Sequence, residues 1–309
     1  MNYEERNKEI MNVVDAMMAS YDEFPDIIRI GKRIHIDAKV IADMLDSLRG
    51  LMFPGFFDNG NICEYTKAYY IRDILAEVRH NLKVQIERAM CHANDGKDIG
   101  DCGERLLNAI SEIDPEERRN ASIEAAKVTD AFLNRLPEIR RKLADDVDAS
   151  FDGDPASNSI SEIILSYPGI YAILVHRLAH ELFLLEVPLI PRLMSEHAHS
   201  KTGIDIHPGA TIGNHFFLDH GTGIVIGETA RIGNNVKIYQ GVTLGAHSTR
   251  GGRKLSGNKR HPDIEDDVTI YSGASILGGD TVIGEGSVIG SNAFITRSVP
   301  KGSRITGAE

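Results

Sequence analysis

The sequence predicts an α+β protein in which an all-helical N-terminal domain precedes a parallel β-helix of hexapeptide repeats. Aliphatic residues recur at helical spacing through the first two thirds of the chain and at every sixth position in the last third. An α-helix and an alternating strand both lack a period of six, whereas short strands joined by tight turns have it. We therefore assign the helical domain to residues 1–200 and the β-helix to residues 201–309.

The helical assignment rests on apolar residues three and four positions apart, which form one face of an amphipathic helix. The clearest case is residues 65–93, and similar spacing occurs before Gly50, from about Glu104 to Leu143, and from Ser159 to about His199. Glycine, aspartate and asparagine at 53–61 and 94–103 predict breaks between helices. Asp154, which precedes Pro155, is predicted to cap the N-terminus of a helix.

The hexapeptide pattern predicts a triangular prism with aliphatic side chains on its axis. Three hexapeptides make one coil of about 18 residues, and coils stack at about 4.8 Å. A polar interruption at residues 246–262 is predicted to leave the prism as an excursion loop. The predicted axial residues are Ile206, Ile212, Leu218, Ile226, Ile232, Ile238, Leu244, Ile264, Ile270, Ile276, Ile283, Ile289 and Ile295.

Composition restricts the class of protein. The formal net charge of −11 argues against a protein that coats nucleic acid, which needs a basic surface. The sequence has neither a signal-peptide pattern at its start nor a run of about 20 apolar residues, so a cytoplasmic location is expected. The three cysteines, Cys63, Cys91 and Cys102, match no common zinc spacing and are expected to be reduced.

Five motifs within the predicted β-helix and just before it identify a family. They are "GDPAS", "DIHPGATIG", "LDHGTGIVIGETA", "QGVTLGA" and "KRHPDIEDDVTI", in this order. Together they resemble the serine O-acetyltransferases of the hexapeptide acyltransferase superfamily, over about Asp154 to Ile295. The resemblance implies a left-handed β-helix, a helical N-terminal domain and transfer of an acetyl group from acetyl-CoA to the hydroxyl of L-serine, the first step of cysteine biosynthesis.

His220 is the candidate general base. A serine hydroxyl becomes a good nucleophile when a base removes its proton, and imidazole is suited to this at neutral pH. Asp205 lies 15 residues earlier, slightly less than one coil, so the fold can bring the two side chains together. An aspartate at one imidazole nitrogen orients the ring and stabilises the imidazolium that forms. We therefore predict His220 as base and Asp205 as its orienting partner.

The remaining site residues follow from the resemblance. It assigns Asp154 and Asp219 to the ammonium group of serine, and Arg260 and His261 to its carboxylate, for which a guanidinium fork is suited. It also places Gly245, Ala246 and Ser272 along the groove for CoA. Basic residues of the excursion suit the CoA phosphates and are Arg250, Arg253, Lys254, Lys259 and Arg260.

The resemblance also implies partners. Active sites of the family lie between subunits, which predicts a homotrimer, and the helical half can join two trimers into a dimer of trimers. L-cysteine is expected as a feedback inhibitor. No permanently bound cofactor is expected, and acetyl-CoA is a co-substrate. Many members bind O-acetylserine sulfhydrylase through a tail ending in isoleucine, and the ending "SRITGAE" speaks against that complex.

Alternative functions remain at this stage. An acyltransferase for homoserine or a sugar would share the fold, and a non-catalytic β-helix scaffold would not need the site residues. Histidines at 207, 215, 220, 247 and 261 raise the possibility of zinc, as in γ-class carbonic anhydrases. The motifs account for His220 and His261 without a metal, so no metal site is expected. His176 and His180, one helical turn apart in "HRLAH", could be a ligand pair, but we interpret them as part of a polar helix face.

Overall fold

The structure is a computed structural model that describes residues 3–24, 27–28, 36–58, 62–94, 115–248 and 250–306. Within this part of the chain, helices are succeeded by short strands between Thr202 and Asp205. The helices are α1 (Tyr3–Glu23), α2 (Ala38–Met52), α3 (Lys67–Asn94), α4 (Pro115–Gly153), α5 (Ile160–Ser166), α6 (Pro168–Leu184) and α7 (Ile190–Thr202). The order of elements confirms the predicted fold class.

The helices match the apolar spacing closely. The predicted helix at 65–93 is α3, and α4 continues ten residues past Leu143 to Gly153. The predicted start of that helix near Glu104 and the break at 94–103 lie almost wholly outside the described residues. The stretch from Ser159 to His199 forms three helices, because Pro168 and Pro191 each occupy the first turn of a new helix.

The chain divides into two compact units, residues 1–35 with 97–114 and residues 36–96 with 115–309. In the first unit the main described element is α1, whose apolar residues, among them Ile10 and Val13, are exposed. In the second unit α2 to α7 share one hydrophobic core with the β-helix. α4 and α6 both pack against the third strand of the β-helix, which leads into the predicted catalytic histidine.

The β-helix has about five turns and three parallel sheets. Its strands are β1 (Asp205–Ile206), β2 (Thr211–Ile212), β3 (Phe217–Asp219), β4 (Val225–Ile226), β5 (Arg231–Ile232), β6 (Lys237–Tyr239), β7 (Thr243–Gly245), β8 (Asp263–Ile264), β9 (Thr269–Ile270), β10 (Ser275–Leu277), β11 (Val282–Ile283), β12 (Val288–Ile289), β13 (Phe294–Ile295) and β14 (Arg304–Ile305). The strand orders are β1-β4-β7-β10-β13 in sheet A, β2-β5-β8-β11 in sheet B and β3-β6-β9-β12-β14 in sheet C.

All thirteen predicted axial residues are buried, which confirms the hexapeptide assignment. They stack on one another from coil to coil, for example Ile206 under Ile226 and Ile226 under Leu244. The arrangement is consistent with the left-handed β-helix of hexapeptide proteins. The excursion leaves between β7 and β8 and contains a 3₁₀ helix at Gly252–Leu255, so the prediction of a loop outside the prism is also confirmed.

A buried ion pair joins the helices to the β-helix. Arg177 of α6 donates two hydrogen bonds to Asp146 of α4, Nε to Oδ2 at 2.5 Å and Nη2 to Oδ1 at 2.7 Å. Nη2 also donates to the carbonyl of Gly213 at 2.8 Å, and Asp146 accepts the backbone N–H of Phe216 at 3.0 Å. Both side chains are almost fully buried. The pair therefore fixes α4 and α6 to the turn that precedes β3.

Replacing Arg177 by Leu should destabilise the protein by about 3–5 kcal/mol, because a charged Asp146 would remain buried without its partner. Urea unfolding followed by circular dichroism measures this. The control is Arg79→Leu, which breaks the exposed pair with Asp130 and should change the unfolding free energy little. Equal effects of the two substitutions would show that the buried pair does not anchor the helices.

Candidate active site

The predicted site residues of the β-helix lie on two edges of the prism or in the strands beside them. We call the connection from sheet C to sheet A that contains residues 219–224 the His220 edge. We call the connection from sheet A to sheet B that contains residues 227–230 and 246–262 the Arg260 edge. Sheet A lies between the two edges. A single chain therefore does not bring His220 together with Arg260 and His261.

His220 occupies a turn that presents its ring to solvent. Its φ is 56°, in the left-handed region where few residues other than glycine are found, and its side chain is 69% exposed. Gly221 and Gly223 follow, also with positive φ. An Asp219 carboxylate oxygen lies 3.6 Å from Nδ1 of the imidazole. The small neighbours leave the imidazole accessible to a substrate.

Asp154 lies on the same side of the molecule, just after the end of α4. Its Oδ2 accepts a hydrogen bond from the Tyr167 hydroxyl at 2.5 Å, and its Oδ1 accepts one from the N–H of Ala156 at 2.8 Å. These bonds lower the pKa of Asp154, and the charge of His220 lowers it further. The prediction that Asp154 caps a helix is wrong, because the cap of α5 is Ser159, whose Oγ accepts the N–H of Glu162. Asp154 instead closes a short turn and keeps its charge.

Asp205, the predicted orienting partner of His220, lies in the adjacent coil, but the structure does not show a hydrogen bond between the two side chains. Asp205 begins β1, where its register partner is Val225, and its N–H donates to the carbonyl of Ile224 at 2.9 Å. Asp205 thus belongs to the coil beside the His220 turn. The carboxylate recorded near the imidazole is that of Asp219, so the hydrogen bond between Asp205 and His220 stays a prediction.

The residues predicted to line the CoA groove lie on both sides of sheet A. Gly245 ends β7, Ala246 begins the excursion, and Ser272 lies two coils above His220 on the His220 edge. The carbonyl of Gly245 accepts the N–H of Gly278 at 3.1 Å, and Ser272 Oγ donates to Ser291 Oγ at 3.3 Å. Their role in binding CoA stays a prediction.

At the Arg260 edge the guanidinium already has protein partners. Arg260 forms an ion pair through Nη2 with Glu228, and Nη1 donates to the carbonyls of Leu255 and Asn258 at 3.4 and 3.3 Å. Its backbone N–H donates to Thr229 Oγ1 at 2.9 Å. The guanidinium is therefore held in one orientation at the edge of the prism, where a carboxylate can approach it.

His261 is buried beside this arginine and is neutral at physiological pH. Its Nδ1 accepts the N–H of Thr229 at 3.0 Å and lies 2.9 Å from Thr229 Oγ1, so the ring proton of the neutral form lies on Nε2. Burial lowers the pKa of His261 to about 4, and Arg260 lowers it as well. The ring packs on Gly227, where an added Cβ would lie 2.1 Å from Cδ2. His261 can therefore offer an uncharged N–H donor to an anion.

Two of the five basic residues of the excursion are occupied by protein groups. Lys259 Nζ donates to the carbonyls of Thr229 and His261 at 2.7 and 2.5 Å and to Asp263 Oδ1 at 2.5 Å. Lys259 therefore closes the end of the excursion on the prism, as Arg260 does. Arg250, Arg253 and Lys254 are exposed and are the side chains open to phosphate groups.

The histidine pair of "HRLAH" is not a polar helix face, so that interpretation is wrong. His176 is 3% exposed, because α6 is packed between α4, α7 and β3, and its ring stacks on His180 with 5.6 Å between centroids. Among the described residues no cluster of three or more His, Cys, Asp or Glu could hold a metal ion. In the same part of the chain no helix is both long and apolar enough to cross a membrane.

Three side chains that contact predicted site residues were not predicted from the sequence. Glu228 and Thr229 stand in the quoted "GETA", but their partners lie about 30 residues later, and only the stacking of coils brings them together. Tyr167 precedes Pro168 and Gly169 at a helix start, and nothing in that pattern indicates its bond to Asp154. The motif was the one sequence signal for Glu228 and Thr229, and Tyr167 lies outside every quoted motif.

The low pKa of His261 predicts a pH dependence of stability. Between its unfolded value of 6.5 and its folded value of about 4, the unfolded chain binds the proton more tightly. Stability should therefore fall as the pH falls through this window, and less so in His261→Gln, which cannot take up the proton. Melting temperatures at pH 7 and pH 4.5 measure both slopes. Parallel slopes would contradict a neutral buried His261.

Comparison with known proteins identifies relatives along most of the chain. No protein-family model matches. A protein of Synechococcus elongatus named serine acetyltransferase, plasmid, is 47% identical over 270 residues, 86% of this chain and 80% of the relative. Serine acetyltransferase of Bacillus subtilis is 52% identical over 134 residues, 43% of this chain and 59% of that protein.

Solved structures agree with these relatives. Serine acetyltransferase isoform 3 of Entamoeba histolytica, in complex with cysteine, has a TM-score of 0.69 at 35% identity and covers 86% of this chain and 81% of its own. The Neisseria gonorrhoeae enzyme in complex with serine has a TM-score of 0.53 at 26% identity, covering 86% and 95%. The similarity extends through the helical half as well as the β-helix. The chain therefore belongs to the serine acetyltransferase family.

Proposed function

We propose that this protein transfers the acetyl group of acetyl-CoA to the hydroxyl of L-serine, giving O-acetyl-L-serine and CoA for cysteine biosynthesis in the cytoplasm. The observation that carries the proposal is the exposed imidazole of His220 on a glycine-bounded turn, with the carboxylates of Asp219 and Asp154 near it. A base beside two anionic groups suits an acceptor that has both a hydroxyl and an ammonium. Homoserine shares these groups, whereas a sugar generally lacks the ammonium.

His220 acts as the base in this mechanism. The neutral imidazole takes the serine hydroxyl proton while the oxygen attacks the thioester carbonyl. The tetrahedral intermediate then expels the sulfur of CoA, which receives the proton from the imidazolium. Asp205 orients the ring, and Asp219 adds a negative charge that favours the imidazolium. The proton is returned in each cycle, so no other proton donor is needed.

Recognition of serine requires both charged ends of the zwitterion. Asp154 and Asp219 bind the ammonium at the His220 edge, whereas Arg260 and His261 bind the carboxylate at the Arg260 edge. Since sheet A separates these edges in one chain, a neighbouring copy supplies the second pair. A closed ring of copies lets every His220 edge meet an Arg260 edge, and the resemblance to the family makes a ring of three, the homotrimer, the expected assembly. Two trimers joined through the helical half would give the hexamer.

Acetyl-CoA lies along the same cleft between copies. Gly245, Ala246 and Ser272 line its pantetheine arm, and the exposed Arg250, Arg253 and Lys254 of the excursion offer positive charge to the phosphates. L-cysteine carries the same ammonium and carboxylate as serine, so it competes for the acceptor site. The cysteine bound in the Entamoeba histolytica structure supports this inhibition.

Replacing His220 should lower kcat by roughly 10²- to 10⁴-fold. His220→Asn is preferable to His220→Ala, because asparagine tolerates the positive φ of this turn. Release of thiol from acetyl-CoA, with serine, homoserine or a simple sugar as acceptor, measures the rate and the acceptor preference. His80→Ala, in an exposed position on α3, is the control. A His220→Asn enzyme with near-normal turnover would refute the role of His220 as the base.

A mixing experiment tests the site between copies. His220→Asn and Arg260→Gln chains should each be nearly inactive alone. Each trimer that contains both kinds of chain has one site in three that joins an intact His220 edge to an intact Arg260 edge, so the isolated mixed trimers should regain about a third of normal activity. Co-expression with two different tags isolates the mixed oligomers for assay. No recovery in verified mixed trimers would place both groups of one site in a single chain.

A further inference from the structure

Tyr167 holds Asp154 at the proposed acceptor site and has no role in the sequence-based assignment. It lies between α5 and α6, and its hydroxyl donates to Asp154 Oδ2 at 2.5 Å, across 13 residues of sequence. Its side chain is partly buried, and its backbone N–H donates to the carbonyl of Ile163 at 3.2 Å. The phenol thus ties Asp154, which follows α4, to the junction between α5 and α6.

The bond leaves Asp154 able to bind a cation. Ala156 occupies one position on Oδ1 and Tyr167 one on Oδ2, whereas each carboxylate oxygen can accept two hydrogen bonds. Asp154 lies in the irregular segment between α4 and α5, where no helix restrains its side chain. Without the phenol, one turn contact from Ala156 would be left to orient the carboxylate.

Tyr167 is itself fixed against the strand that leads to the base. Pro168 and Gly169, which follow it, form the first turn of α6. A Cβ on Gly169 would lie 2.5 Å from the carbonyl oxygen of Leu218, so the backbone of α6 packs directly on β3. β3 ends at Asp219, the residue before His220. Through Tyr167, the position of the Asp154 carboxylate therefore depends on the position of β3.

The electrostatics keep the phenol in its donor form. Burial raises the pKa of Tyr167, and the hydrogen bond and charge of Asp154 raise it further, with Glu162 and Asp219 adding to the effect. The same hydrogen bond lowers the pKa of Asp154. At neutral pH the pair is therefore a protonated phenol and an ionised carboxylate.

We infer that Tyr167 is a positioning residue for acceptor recognition, which holds the Asp154 carboxylate toward the primary ammonium of the acceptor. The inference rests on the proposed function and deepens it. Tyr167 thereby helps the site to select α-amino acids that carry a hydroxyl. Hydroxy acids of the same length that lack the amine are the acceptors selected against. The inference predicts no effect on acetyl-CoA, because the hydrogen bond of the phenol is to the carboxylate proposed to bind the acceptor.

Tyr167→Phe tests this by removing one oxygen atom. Tyr171→Phe is the matched control, since Tyr171 lies four residues later, in α6, and its buried hydroxyl has no hydrogen-bond partner among the residues that the structure describes. Tyr167→Phe should raise the KM for serine about tenfold, the effect of losing one hydrogen bond to a charged group. The KM for acetyl-CoA and the kcat/KM for 3-hydroxypropanoate, which lacks the amine, should stay near normal. Tyr171→Phe should change none of these values.

A double variant separates positioning from a general loss of structure. In the Asp154→Asn background, Tyr167→Phe should add little to the serine KM, because the carboxylate that it orients is already gone. Additive effects, equal losses with serine and 3-hydroxypropanoate, or identical behaviour of the two phenylalanine variants would overturn the inference while leaving the proposed function intact. A wild-type protein without serine-dependent thiol release would overturn both.

Discussion

The buried pair of Asp146 and Arg177 connects the two kinds of structure in this chain. Two charges without water are stable together only when their hydrogen bonds are satisfied, and here the backbone of Gly213 and Phe216 supplies the remaining partners. The pair thereby sets where α4 ends relative to β3. Asp154 follows α4 and His220 follows β3, so the distance between these two side chains depends on a contact that touches neither.

The prism adds a second constraint, which acts on the active site as a whole. Each coil has three edges, and functional side chains at an edge project away from the axis that the aliphatic residues fill. Residues on different edges cannot converge inside one chain, however close together they are in the sequence. The separation of His220 from Arg260 is therefore a property of the fold, and a site that needs both must form between copies.

The repeat pattern predicted the fold well because burial on the axis is imposed at every sixth position. All thirteen predicted axial residues are buried, and the excursion left the prism where the pattern failed. Contacts between distant segments had no such signal. The phenol on Asp154, the carboxylate on Arg260 and the burial of His176 all arise from packing of helices or coils, which local spacing does not encode. The cap predicted for Asp154 failed because Pro155 opens a turn there, and α5 begins six residues later at Ile160.

The backbone conformation of His220 allows an exposed imidazole to stand within the hexapeptide repeat. A histidine in the left-handed region costs conformational energy, which the surrounding coil offsets through its stacked strands. The same conformation turns the imidazole out of the prism at an edge, where it is exposed to solvent. The extra residues between Leu218 and Ile226 therefore place the imidazole at the edge, while the strands on either side keep the register of the sheets.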